Sequence, residues 1–92
     1  MPLPLSDIEI HRQLATIAGW SRRGNALVRT YEFPGFSHAI AFVDRIAPIA
    51  DAHDHHPDID IRYNRVTLHL STHSAGGITN NDFALARAID AP

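Results

Sequence analysis

The chain predicts an α+β fold: a four-stranded antiparallel sheet with helices packed on one face, in the order α-β-β-α-β-β-α. Apolar residues switch between a period near 3.6 and a period of 2 along the chain. Glycine, proline and asparagine turns stand at those switches. At 92 residues and 45% apolar content, there is room for one core, so a single domain over 1–92 is expected.

Ser6 precedes the first helix as its cap, with Glu9 three residues on completing a capping box. Ile10, Leu14, Ile17 and Ala18 form its apolar stripe, and Gly19 ends it. Trp20-Ser21-Arg22 and Ala26–Phe33 are β-rich and flank Gly24-Asn25, which predicts a hairpin. Pro34-Gly35 closes it. Phe36 opens a second helix, with Ser37 as a possible cap and Phe36, Ile40, Val43, Ile46, Ala47 and Ala50 at helical spacing. Pro48 removes the bond to the Asp44 carbonyl, so a kink is expected there, with the helix resuming through Ala50 and ending by His55.

Ile59, Ile61 and Tyr63 alternate with Asp60 and Arg62, and Val66, Leu68 and Leu70 alternate with Thr67, His69 and Ser71. These are two amphipathic strands about a tight turn at Asn64-Arg65. Ser74-Ala75-Gly76-Gly77 is a loop, and Thr79 caps a last helix carrying Phe83, Leu85, Ala86 and Ile89.

Composition excludes several functions. There are no cysteines, hence no disulfide framework and no thiolate metal site. All eight basic residues are arginine, so Schiff-base lysine chemistry is out. A net charge of −2 argues against a dedicated nucleic-acid binder. No apolar run reaches the roughly 20 residues of a membrane span, and Met-Pro-Leu-Pro lacks the features of a signal peptide. A soluble, cytoplasmic protein without membrane partners is the expectation.

What stands out is histidine. Seven occur, and His53, His55 and His56 fall within four positions, flanked by Asp51, Asp54, Asp58 and Asp60. Imidazole titrates near working pH, so such a cluster handles protons or binds metal. Pro57 disfavours a helical conformation at His56 and places the pair at a helix-to-strand junction. Adjacent histidines before a proline diverge, and the helical His-x-x-x-His spacing is absent, so no metal site is expected. His11, His38, His53 and His69 read as solvated surface residues. No Gly-x-Ser-x-Gly elbow accompanies the serines. Acid–base work by converging imidazoles is the chemistry that remains.

The spacing Asp51, His55-His56-Pro57, Tyr63, His73, Asp82 resembles the signature of the pterin-4a-carbinolamine dehydratases. Tyr63-Asn64-Arg65-Val66, Leu70-Ser71-Thr72-His73, Ala75-Gly76-Gly77-Ile78-Thr79 and Asp82-Phe83 match that family nearly residue for residue. Gly19-Trp20 and Phe36 extend the likeness, which runs from about Leu5 to Ile89.

The resemblance implies the same α+β order and one reaction. That reaction is dehydration of 4a-hydroxytetrahydropterin (4a-hydroxytetrahydrobiopterin) to quinonoid dihydropterin and water, in the recycling of tetrahydrobiopterin for aromatic amino acid hydroxylases. It assigns acid and base to His55, His56 and His73, support to Asp51, Asp54 and Asp82, and pterin contact to Trp20, with no metal and no cofactor. Asp51 stands where the family often has glutamate, and Ile59 where it often has an aromatic residue. His73 shares strand parity with outward Thr67 and His69, so it reaches a cleft only if the strand ends or twists near Thr72. Some relatives serve instead as non-catalytic scaffolds, a dimerisation cofactor of a transcription factor or an assembly factor; the intact trio favours the enzyme. A homodimer or homotetramer is expected from the apolar second helix and from an exposed edge strand such as Ala26–Phe33.

Overall fold

The computed structural model describes residues 3–92. The order along the chain is helix, two strands, helix, two strands, helix: α1 (Asp7–Leu14), β1 (Ser21–Arg23), β2 (Ala26–Glu32), α2 (Phe36–Ala52), β3 (Asp58–Arg62), β4 (Arg65–Leu70) and α3 (Asn80–Asp90). The strands form one antiparallel sheet in the order β1-β2-β4-β3. This is the fold class the residue periods predict.

The core follows from strand alternation. Val66, Leu68 and Leu70 of β4 are fully buried, whereas Thr67 and His69 between them are half-buried on the opposite face. Across the sheet, Leu27 pairs with Leu70. These side chains pack with Ile10 of α1, Ala39, Phe42 and Ile46 of α2, and Phe83, Leu85, Ala86 and Ile89 of α3. On the other face the Thr30 and Thr67 hydroxyls meet at 2.8 Å, a cross-strand polar pair.

Local chemistry moves several element ends. The first helix stops at Leu14 rather than running to Ala18. The Gln13 carbonyl takes both the Thr16 amide and the Thr16 hydroxyl, at 3.0 and 2.7 Å, and the chain tightens away from the helix. Ile17 is still buried, so the apolar stripe outlasts the helix that was read from it. Ser6 accepts the Glu9 amide as expected, but the Glu9 carboxylate pairs with Arg12 instead of closing a box. At α2 the capping position is Gly35, with no side-chain bond; Ser37 already lies inside the helix. Helix α2 runs without a break through Pro48. Asp44 and Pro48 are both exposed, so water can solvate the carbonyl left without a donor.

The second hairpin turns at Tyr63-Asn64, one residue earlier than the sequence predicts, because Arg62 pairs with Arg65. Tyr63 adopts a positive φ of 51°. Asn64 clamps the turn onto the end of β2, donating from its side chain to the Phe33 carbonyl and accepting the Phe33 amide, both at 2.9 Å. Nor is Ala26–Phe33 an edge. Strand β2 lies between β1 and β4, which leaves β3 as the long edge of the sheet.

Candidate active site

The histidine pair is aimed by the way α2 ends. His53 is the C-cap and Asp54 follows with a positive φ of 48°. The Asp54 amide bonds the Asp51 carbonyl (3.0 Å) and the His55 amide bonds the Ala50 carbonyl (3.2 Å). Those two bonds form a Schellman motif with aspartate in the left-handed position. Asp54 therefore acts through its backbone: it turns the chain so that His55 points back into the domain. Its exposed side chain makes no hydrogen bond to either histidine among the described residues.

Adjacent histidines then diverge. The His55 side chain is 12% exposed and its Nε2 lies 2.5 Å from Asp82 Oδ1, whose side chain is fully buried. His56 lies at the surface, its Nε2 2.8 Å from Asp51 Oδ1, with both partners largely in solvent. A carboxylate accepts and does not donate, so each contact places a proton on Nε2. His55 is held rigidly; His56 is held loosely.

Asp82 is the third residue of α3 and closes a capping box with Thr79. Its Oδ2 accepts the Thr79 amide at 2.8 Å and the Thr72 hydroxyl at 2.9 Å. A buried carboxylate costs several kcal/mol unless fully paired, and here both oxygens are paired, Oδ1 with His55 and Oδ2 with Thr72 and Thr79. No buried side-chain nitrogen or oxygen among the described residues lacks a partner.

His73 opens a short 3₁₀ turn, His73–Ala75, and is exposed. Strand β4 ends at Leu70, which removes the parity conflict: Thr72 continues the inward positions, and His73 begins a new local geometry. The turn is fastened by a bridge between Thr72 and Gly77. The residues predict only a loop over Ser74-Ala75-Gly76-Gly77 and no role for Thr72.

Trp20 lies elsewhere. It is 7% exposed, its indole N–H donates to Asp90 Oδ2 at 2.7 Å, and its ring meets Tyr31 edge-on at 6.4 Å. Asp90 is eight residues beyond Asp82 on α3, about 12 Å along the axis. Within one chain Trp20 is thus a core residue remote from His55. Its cluster is elaborate in its own right. Tyr31 donates to Asp90 at 2.6 Å, Arg29 bonds both Asp90 and the Ala18 carbonyl, and burial with the Asp90 contact pushes the Tyr31 phenol far above its usual range. Gly19, at φ 89°, leaves room for the Arg29 guanidinium; an added Cβ would come within 2.7 Å of it. The signal for this cluster spans some seventy residues of sequence and was not legible.

Among the other histidines, His11 and His38 are exposed, His69 is half-buried, and His53 Nδ1 meets the Ile49 carbonyl at 3.0 Å. Among the described residues no three His, Asp or Glu side chains are gathered as a metal ion would require. No helix there is long and apolar enough to cross a membrane.

Fold and site together define a small α+β protein carrying a carboxylate-held histidine pair at a helix-to-strand junction. A family model described as Pterin 4 alpha carbinolamine dehydratase matches residues 3–92, and the chain belongs to that family. A provisionally named pterin-4-alpha-carbinolamine dehydratase of Roseiflexus sp. (strain RS-1) is 52% identical over 90 residues, covering 98% of this chain and 97% of its own. One of the same name from Chloroflexus aurantiacus (strain ATCC 29366 / DSM 635 / J-10-fl) is 58% identical over 86 residues, covering 94% and 92%. The crystal structure of a transcriptional coactivator/pterin dehydratase from Brucella melitensis superposes with a TM-score of 0.89 at 35% identity, covering 95% of each chain. A pterin dehydratase-like RuBisCO assembly factor of the alpha-carboxysome shares the fold at a TM-score of 0.61 and 21% identity, covering 77% of this chain and 82% of its own.

Proposed function

We propose that this protein is a hydro-lyase that dehydrates 4a-hydroxytetrahydropterin to quinonoid dihydropterin and water, serving tetrahydrobiopterin recycling. The observation that carries the proposal is the splayed pair, His55 on buried Asp82 and His56 on exposed Asp51. Loss of the 4a-hydroxyl needs a proton delivered to oxygen as the C4a–O bond breaks, while a ring N–H gives up its proton to a base. Imidazolium and neutral imidazole supply both, and the roles fall among His55, His56 and His73. No protein nucleophile and no cofactor enters the balance. Asp82 also caps α3, but a scaffold has no use for the intact trio His55, His56 and His73, and this favours the enzyme over a binding role. In a coupled assay with an aromatic amino acid hydroxylase, the purified protein should prevent build-up of the hydroxypterin; build-up equal to a blank would sink the proposal.

Asp51 has a support role that its exposure limits. Its carboxylate is 75% exposed and His56 58%, so the pair is screened and contributes only about 0.2–1 kcal/mol. Asp51→Ala should lower kcat about two- to fivefold, and Asp51→Glu, the residue common in the family, should stay within about twofold of the parent. Steady-state kinetics on the two variants decides this; an alanine variant with unchanged kcat would leave Asp51 as surface only.

The protein works as a homodimer or homotetramer. Ile59 and Ile61 on edge strand β3 pair with Leu68 and Val66, so they belong to the core face, yet they are 41% and 38% exposed. Phe36 at the start of α2 and Tyr63 at the hairpin tip are more open still. An edge strand with uncovered apolar residues beside it favours pairing with a second copy. Light scattering at micromolar concentration should give a multiple of the chain mass; the mass of one chain would refute this.

A further inference from the structure

We infer that Thr72 is a positioning residue of this site, its buried hydroxyl orienting Asp82 so that His55 exchanges protons through Nδ1. The geometry begins with donor and acceptor counting. A threonine hydroxyl has one hydrogen to give. Thr72 spends its hydrogen on Asp82 Oδ2, since the carboxylate can only accept. The 2.8 Å contact between the Thr72 and Thr79 hydroxyls must then be donated by Thr79. Thr79, having given its hydrogen, accepts from the Asn81 amide at 3.1 Å.

The result is a one-way chain: Asn81 N–H to Thr79, Thr79 to Thr72, Thr72 to Asp82. Each hydroxyl that accepts a bond becomes a better donor for the next. Thr72 is 5% exposed, and Thr79 and Asp82 are 0% exposed, so water does not compete. The Thr72 and Thr79 donors both occupy Oδ2, which leaves Oδ1 to face His55 alone.

Thr72 also stands next to His73. Its amide bonds the Gly77 carbonyl at 3.0 Å, and its carbonyl takes the Ala75 and Gly77 amides at 3.0 and 3.4 Å. One residue thus links the turn that carries His73 to the carboxylate that holds His55.

The kinetic consequence rests on the dehydratase reading; the structural one does not, and the experiment separates them. Thr72→Val keeps the β-branched shape and deletes the hydroxyl, whereas Thr72→Ser keeps the hydroxyl. Imidazole ¹⁵N NMR on the wild type should find neutral His55 protonated at Nε2, and Thr72→Val should shift that resonance or mix the tautomers. In dehydration kinetics Thr72→Val should lose about tenfold in kcat with KM within twofold, and Thr72→Ser should restore kcat to within threefold. In a His55→Ala background, Thr72→Val should add less than twofold, because the two act as one unit. A wild-type His55 protonated at Nδ1 would overturn the inference, and that reading needs no variant to fold. So would a Thr72→Val protein that is less stable but keeps its tautomer and kcat. An inactive wild type whose His55 tautomer still responds to Thr72 would overturn the dehydratase reading and uphold the positioning role.

Discussion

Replacing His55 or His73 by alanine should lower kcat by roughly 10²-fold or more, the scale of a lost general acid or base. The two variants should differ in their side effects. His55 is largely buried, and its removal leaves Asp82 Oδ1 facing a cavity, so His55→Ala should also lose stability. His73 is exposed on a short turn, so His73→Ala should keep the parent melting curve. His53→Ala and His69→Ala should stay near the parent in rate, since His53 bonds only a helix carbonyl and His69 lies on the face opposite the core. Parallel measurement of kcat and thermal melting on the four variants checks the assignment. A His69 variant as slow as the His73 variant would contradict it.

The largest stability effect should come from Asp82. Truncation to alanine strands three donors in the core: the His55 imidazole, the Thr72 hydroxyl and the Thr79 amide. Each buried donor left without an acceptor costs about 1–3 kcal/mol. Domains of this kind have only about 5–15 kcal/mol in total, so Asp82→Ala should be partly unfolded or much less resistant to urea. Asp82→Asn is more informative. It keeps the shape, but one oxygen becomes an NH₂ that cannot accept; the Thr79 amide can only donate, so the remaining oxygen stays with Thr79 and Thr72 and the NH₂ turns to His55. The ring is then driven to the opposite tautomer and Nδ1 carries the proton. Asp82→Asn should therefore fold, with a higher urea midpoint than Asp82→Ala, and still lose about 10²-fold in rate. Urea titration and turnover together test this; an asparagine variant of near-parent activity would remove Asp82 from the site.

Much of this was legible in the residues. The switch from the Ile10–Leu14 spacing to the Ile59–Ile61 alternation gave every element and their order, because burial on one face writes its period into the sequence. Where the reading slipped, a side chain or a backbone angle outweighed the period. Thr16 draws the Gln13 carbonyl out of the helix although Ile17 keeps the stripe going. Tyr63 takes a positive φ that a strand pattern ending in tyrosine does not announce. The diverging histidines were foreseeable from Pro57, and the local pattern Thr79-x-x-Asp82 held the signature of a capping box. That the same aspartate turns its other oxygen to a histidine 27 residues earlier is in no local pattern; only the family resemblance ties Asp82 to the histidines. Nor could Trp20 be placed, since its partner Asp90 lies 70 residues away. Contacts of that length depend on the finished packing, not on any local pattern.

On the proposed function, carboxylate-held histidines remove water from a hydroxypterin without help. The most direct measurement is the first-order decay of 4a-hydroxytetrahydropterin, followed by ultraviolet absorbance, with purified chelator-treated protein against buffer alone. Decay should run well above the buffer rate, in proportion to protein concentration, and stay unchanged when zinc is added back. Decay no faster than in buffer, or activity that vanishes with the chelator and returns only with zinc, would contradict the proposed function.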